Sequence, residues 1–151
     1  MASSLGATEL AANCGLWLRS AEYRSQLSWS TDASFDGMQT RRYYCAAVVV
    51  ARSIWVMGGM RSATNKCLSS VETLNLDTMT WTPRPNMSEL RRSAPGAAVS
   101  DSYGSINIFG GRSAKKKVSS TAEFFNMQTE QWTSITPLPT RKGGCAAACL
   151  T

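Results

Sequence analysis

Histidine is absent from these 151 residues, and acidic side chains are few, ten Asp and Glu against sixteen Lys and Arg. The five cysteines (Cys14, Cys45, Cys67, Cys145 and Cys149) are odd in number, and their spacing matches neither a zinc site nor a disulfide framework. Cys145 and Cys149 lie in an alanine run that reads as a buried strand, and no histidine is available to complete a metal site around them. Free thiols packed as small hydrophobes are therefore expected. Long apolar runs are also missing. The stretch from Met1 to Arg24 is interrupted by Glu9, Asn13 and Arg19, so neither secretion nor membrane insertion is indicated. Free thiols without a targeting signal make a cytoplasmic setting the expectation.

What is present suits a folded chain. Hydrophobic residues make up 43% and charged residues 17%, unlike the apolar-poor, highly charged profile of disordered sequences. The net charge of +6 raises the question of nucleic acid, but only Lys115, Lys116 and Lys117 form a run, and such a run ordinarily marks a solvated loop. A nucleic-acid partner is not expected.

Self-comparison reveals a repeat. One unit runs from Arg41-Arg42 through Cys45-Ala46-Ala47-Val48-Val49-Val50 and Ser53-Ile54-Trp55-Val56-Met57 to Gly58-Gly59, then Val71-Glu72-Thr73-Leu74 and Trp81. The next runs from Arg91-Arg92 through Gly96-Ala97-Ala98-Val99 and Ile106-Asn107-Ile108-Phe109 to Gly110-Gly111, then Ala122-Glu123-Phe124-Phe125 and Trp132. The double glycines are 52 positions apart and the Glu72/Glu123 and Trp81/Trp132 pairs 51, so length differences fall in the loops. A period near this value with short strands indicates a four-stranded unit. Residues 41–90 and 91–140 are thus two repeats, 141–151 begins another, 15–40 carries the tail of a degenerate earlier copy (Glu22 and Trp29 matching Glu72 and Trp81), and 1–14 is unassigned. Each segment between landmarks is a strand-length run bounded by Gly, Pro, Ser or Asn, and no helix of useful length fits.

These motifs resemble kelch repeats, marked by an Arg before the first strand, a double Gly ending the second, an acidic residue in the third and a Trp in the fourth. The resemblance covers residues 41–148 and departs from the family where a Tyr common shortly before the Trp is missing. It implies an all-β fold of antiparallel four-stranded blades, part of a β-propeller. The small Ala46, Ala47, Ala97, Ala98 and Ala146–Ala148 suit an inner strand, Trp81 and Trp132 the space between blades, and Gly58, Gly59, Gly110 and Gly111 backbone angles or approaches that a Cβ forbids. Glu72 and Glu123 share a strand face with apolar residues, so burial there requires a partner, for which Arg42 and Arg92 are the candidates.

The resemblance also implies protein binding, of the cytoskeletal scaffold or ubiquitin-ligase substrate adaptor type, rather than catalysis. A galactose-oxidase-like propeller uses copper held by His and Tyr, and this segment has no His; such an oxidase, or a sugar isomerase, would need its site in blades not present here. No cofactor or metal is expected. In an up-and-down blade, the loops joining strand two to three and strand four to the next strand one share one side. The residues expected to meet a partner protein there are Arg61, Lys66, Arg84, Arg91, Arg112, Lys115, Lys116, Lys117, Arg141 and Lys142, a basic face suited to an acidic segment. The opposite rim carries Asp77, Asp101 and Glu130 beside Arg52. Since propellers use about 4 to 8 blades, further blades are expected from a longer chain or from self-association.

Overall fold

The structure, a computed structural model, describes residues 22–25, 28–31, 37–93, 96–99 and 105–147. Among these there is no helix, and so none long and apolar enough to cross a membrane. The strands, in chain order, are β1 (Glu22–Ser25), β2 (Ser28–Thr31), β3 (Arg42–Tyr43), β4 (Ala46–Val50), β5 (Ser53–Met57), β6 (Met60–Arg61), β7 (Val71–Asn75), β8 (Trp81–Arg84), β9 (Gly96–Val99), β10 (Ile106–Phe109), β11 (Ala122–Asn126) and β12 (Gln131–Ile135).

Valine, isoleucine and aromatic residues at these positions favour a pleated, half-buried chain; short turns join β4 to β5, β7 to β8 and β11 to β12, and long loops join β5 to β7 and β10 to β11. Two antiparallel four-stranded blades result, ordered β4-β5-β7-β8 and β9-β10-β11-β12. The fold is a partial propeller of two complete blades. Corresponding registers coincide: Leu74 faces Trp81 and Phe125 faces Trp132, each two positions after its glutamate. In the β1–β2 hairpin Arg24 faces Trp29, two positions after Glu22, so the degenerate copy keeps the same pairing. The rest of 15–40 before Gly37, residues 1–14, Asp101 and residues 148–151 lie outside the described residues; 141–147 carry no strand.

The blades meet face to face. Ala46, Trp55, Met57, Val71 and Met87 of the first form one apolar cluster with Ile106, Ile108 and Phe125 of the second, and Met127 and Trp132 close its edge. The Trp55 and Phe125 ring centroids are 5.1 Å apart, and Phe125 and Trp132 are 5.0 Å apart, both tilted, an arrangement that aromatic quadrupoles favour. The indole N–H of Trp132 donates to the Pro85 carbonyl of the preceding blade at 2.9 Å, so this tryptophan fills and fastens the joint as its bulk requires. On the other face of the first blade, Met38, Cys45, Ile54, Val56 and Leu74 form a second cluster, with the half-buried Trp81 packed against it. Alternation along β7 therefore places Glu72 and Leu74 on one face, and along β11 Glu123 and Phe125 on the corresponding face, which in the second blade packs on the first.

Candidate partner-binding face

Each blade is drawn together at one end by a buried arginine and the third-strand glutamate. Arg42 Nη2 donates to Glu72 Oε1 at 2.5 Å, and Nη1 donates to the Gly58 carbonyl at 2.9 Å and the Ser70 carbonyl at 2.8 Å. In the second blade Arg91 Nε donates to Glu123 Oε1 at 3.0 Å, and Nη1 donates to the carbonyls of Gly110 at 2.8 Å and Thr121 at 3.1 Å. The carboxylates also accept backbone N–H groups from the loops entering strand one, Gln39 (2.7 Å) for Glu72 and Ser88 (2.7 Å) for Glu123. Both glutamates are buried and charge-paired, which accounts for carboxylates on an apolar face.

The partner of Glu123 is thus Arg91, not Arg92, and this corrects the expected alignment. Gly59 N donates to Arg91 O and Gly111 N to Lys142 O, so Arg42, Arg91 and Lys142 are equivalent, one residue out of step with the Arg41-Arg42/Arg91-Arg92 match. A sequence signal was available: Met38 to Met87 and Arg42 to Arg91 are both 49 positions apart, whereas Arg42 to Arg92 is 50. The double glycines follow from the same contact. A Cβ on Gly58 would stand 2.5 Å from the Arg91 carbonyl oxygen, and one on Gly110 2.4 Å from that of Lys142, with φ at +62° and +61°.

The two kinds of loop expected to share a side do so, and they are knitted together. Residues 60–67 fold back as a small hairpin whose first strand, β6, pairs with β3, Arg42 opposite Arg61 and Tyr43 opposite Met60. Arg92 and Arg112 bridge in the same way in the second unit, and Arg112 pairs onward with Val118. The structure brings Arg61 and Lys66 together, with Arg61 N donating to Lys66 O at 2.8 Å, and Arg112 with Lys116 and Lys117 through Arg112 Nη1 to Lys116 O (3.3 Å) and Ser113 N to Lys117 O (2.9 Å). Lys117 and Arg141 line one open depression with Ser119, Ser120 and Thr121. Arg61, Lys66, Arg112, Lys115, Lys116, Lys117, Arg141 and Lys142 are all exposed. Glu89, the acidic residue beside them, is engaged by the Thr121 hydroxyl at 2.8 Å.

Two expected members leave the face. Arg91 is buried in the clamp, with a side chain 1% exposed, and offers nothing to a partner. Arg84 ends the outer strand β8, where its guanidinium lies 5.4 Å from the Trp55 ring centroid and pairs at 3.0 Å with Glu130 of the second blade. Glu130 is thereby removed from the opposite rim into the joint between blades, while Arg52 and Asp77 remain paired on that rim at 2.5 Å, both exposed. The residue types alone did not indicate a tyrosine pair on the basic side. Tyr43 O–H donates to Asn65 Oδ1 at 2.7 Å, and its ring leans on Tyr44 with centroids 5.0 Å apart.

Cys67 and Cys145 are free thiols, and Cys45 is buried. Burial pushes the Cys67 thiol up from its ordinary value, against smaller opposing effects of the Arg92 charge and a hydrogen bond from the Leu68 backbone.

A profile of the kelch motif matches residues 41–88 and 91–139, the two blades with their entry loops. The chain belongs to the kelch-repeat family. It is 33% identical over 113 residues to the Kelch-like protein terF of Aspergillus terreus, a match covering 70% of this chain and 24% of that protein. The chain therefore spans about a quarter of the length of this kelch relative. Its kelch landmarks have structural roles: the arginine and glutamate form the clamp, the glycines admit the next loop, Trp132 joins the two blades, and Trp81 packs on the second apolar cluster.

Proposed function

We propose that this kelch segment is a protein-interaction module, binding rather than catalytic, which takes an acidic segment of a partner protein on the loops joining strand two to three and strand four to the next strand one. One observation carries this reading. Seven exposed cations, Arg61, Lys66, Arg112, Lys115, Lys116, Lys117 and Arg141, stand on that side without an ion pair among the described residues, while Lys142 holds the position that Arg42 and Arg91 take in the clamps. The clamps hold these loops on a rigid scaffold, which is how folds present recognition residues. Scaffold and adaptor roles both fit such a face. The free thiols suit a reducing compartment, so a cytoplasmic location goes with the reading. Further blades, supplied by a longer chain or by other copies, would complete the ring.

Reversing Arg61, Lys66 and Lys115 to Glu together is the test. Association with the partner recovered by affinity capture should slow and depend less on salt, because rim charges act mainly on encounter. Unchanged binding, with loss on mutating Asp77 instead, would move the interface to the opposite rim.

A further inference from the structure

Entry into the first strand requires a left-handed residue in each unit. Tyr44, Ser93 and Gly144, each two positions after the equivalent Arg42, Arg91 and Lys142, have φ of 54°, 63° and 67°. Glycine adopts this angle freely and a bulky side chain does so only at a cost. The first blade nevertheless carries a tyrosine here, and burial does not offset the cost: Tyr44 is 54% exposed, the most exposed large hydrophobic side chain among the described residues.

Its surroundings are organised. The ring leans on Tyr43, whose hydroxyl holds Asn65 in the 60–67 hairpin, and Ser62 N ties that hairpin to the Arg41 carbonyl at 3.0 Å. Arg41, Arg61 and Lys66, on the same two paired segments, are exposed and without an ion pair among the described residues. Tyr44 thus stands strained and exposed beside unneutralised cations, and it belongs to neither apolar cluster of the first blade.

We propose that Tyr44 is the aromatic anchor of the partner-binding face: an extended acidic segment lays an apolar side chain against the Tyr43–Tyr44 rings while its carboxylates meet Arg41, Arg61 and Lys66. This rests on the basic-face reading above and assigns its centre to the first blade. A rigid aromatic flanked by arginine is the composition that dominates binding energy at protein interfaces. Single-stranded nucleic acid would also use rings and cations, but it stacks successive bases on successive platforms. Here the equivalent positions in the second blade are Arg92 and Ser93, so the platform does not repeat.

Replacing Tyr44 with glycine separates function from folding, because glycine suits the angle and removes the ring. The full chain is titrated, by fluorescence anisotropy, against a labelled poly-glutamate peptide with one central leucine, an all-glutamate control and an oligouridine of similar charge. Tyr44→Gly should leave the thermal midpoint unchanged or raised and weaken the leucine peptide about tenfold or more, the scale of an interface hot spot, with little effect on the control. Arg61→Glu with Lys66→Glu should weaken both peptides. Full-strength binding of the leucine peptide by Tyr44→Gly, with the charge reversal still effective, overturns the anchor and leaves the basic face standing. No effect of the charge reversal, or no peptide binding at all, overturns both. A lowered thermal midpoint in Tyr44→Gly makes the ring structural, and tighter binding of oligouridine than of either peptide makes the partner a nucleic acid; each overturns the proposal.

Discussion

Replacing Arg91 with alanine takes a cation out of a site where nothing else can neutralise Glu123. The guanidinium lies with its Nε 3.0 Å and its Nη2 2.9 Å from Glu123 Oε1, and it also satisfies the carbonyls of Gly110 and Thr121. Both side chains of the pair are 1% exposed, so solvent screening does not soften the loss. Removing one partner of a buried ion pair costs about 3–5 kcal/mol, mostly from the stranded charge. The two freed carbonyls add to this, but Ser88 N, at 2.7 Å from Glu123 Oε2, retains part of the carboxylate's support, so about 3–5 kcal/mol is the expected total. At about 2–4 °C per kcal/mol for a chain of this size, the thermal midpoint should fall by roughly 6–20 °C. Urea unfolding followed by tryptophan fluorescence measures the loss directly. Arg91→Lys should fall in between, since an ammonium keeps the charge without the planar fork that reaches carboxylate and carbonyls together. A loss below about 1 kcal/mol, the scale of an ordinary surface substitution, would refute the clamp and return Arg91 to the exposed face.

Trp132→Phe should keep most of the ring contact with Phe125 but lose the hydrogen bond to the Pro85 carbonyl, costing about 0.5–1.5 kcal/mol in the same urea measurement; a cost near zero would mean the indole N–H does not fasten the blades. Because burial raises the Cys67 thiol, less of it is thiolate at any given pH, and its alkylation rate should rise through an inflection above that of a small free thiol. Mass spectrometry of iodoacetamide-treated protein across pH reads this, and an inflection at or below the free-thiol value would contradict it.

The sequence alone determined the blades. Strand-length runs set off by Gly58-Gly59 and Gly110-Gly111, with Glu72/Glu123 and Trp81/Trp132 in fixed order, specify local pairing between neighbours in the chain, and hairpin register depends on little else. The side on which the long loops emerge was equally legible, because antiparallel order dictates it. What a side chain does within a loop was not. Arg91 and Arg92 are chemically identical neighbours; the 49-residue spacing shared with Met38 and Met87 hinted at Arg91, and the approach of the Arg91 carbonyl to Gly59 decides that it turns inward to Glu123. Arg84 and Glu130 looked like members of opposite rims, but packing of one blade on the next brings the end of β8 to the turn before β12 and joins them. Tyr44 was unremarkable as a letter. The left-handed angle shared with Ser93 and Gly144 is a property of the folded backbone, and it alone marks the residue as costly where it stands. Local pattern carries pairing, since neighbours along the chain impose it; the commitments of charge and the positions of strain depend on which distant segments the packed blades bring into contact.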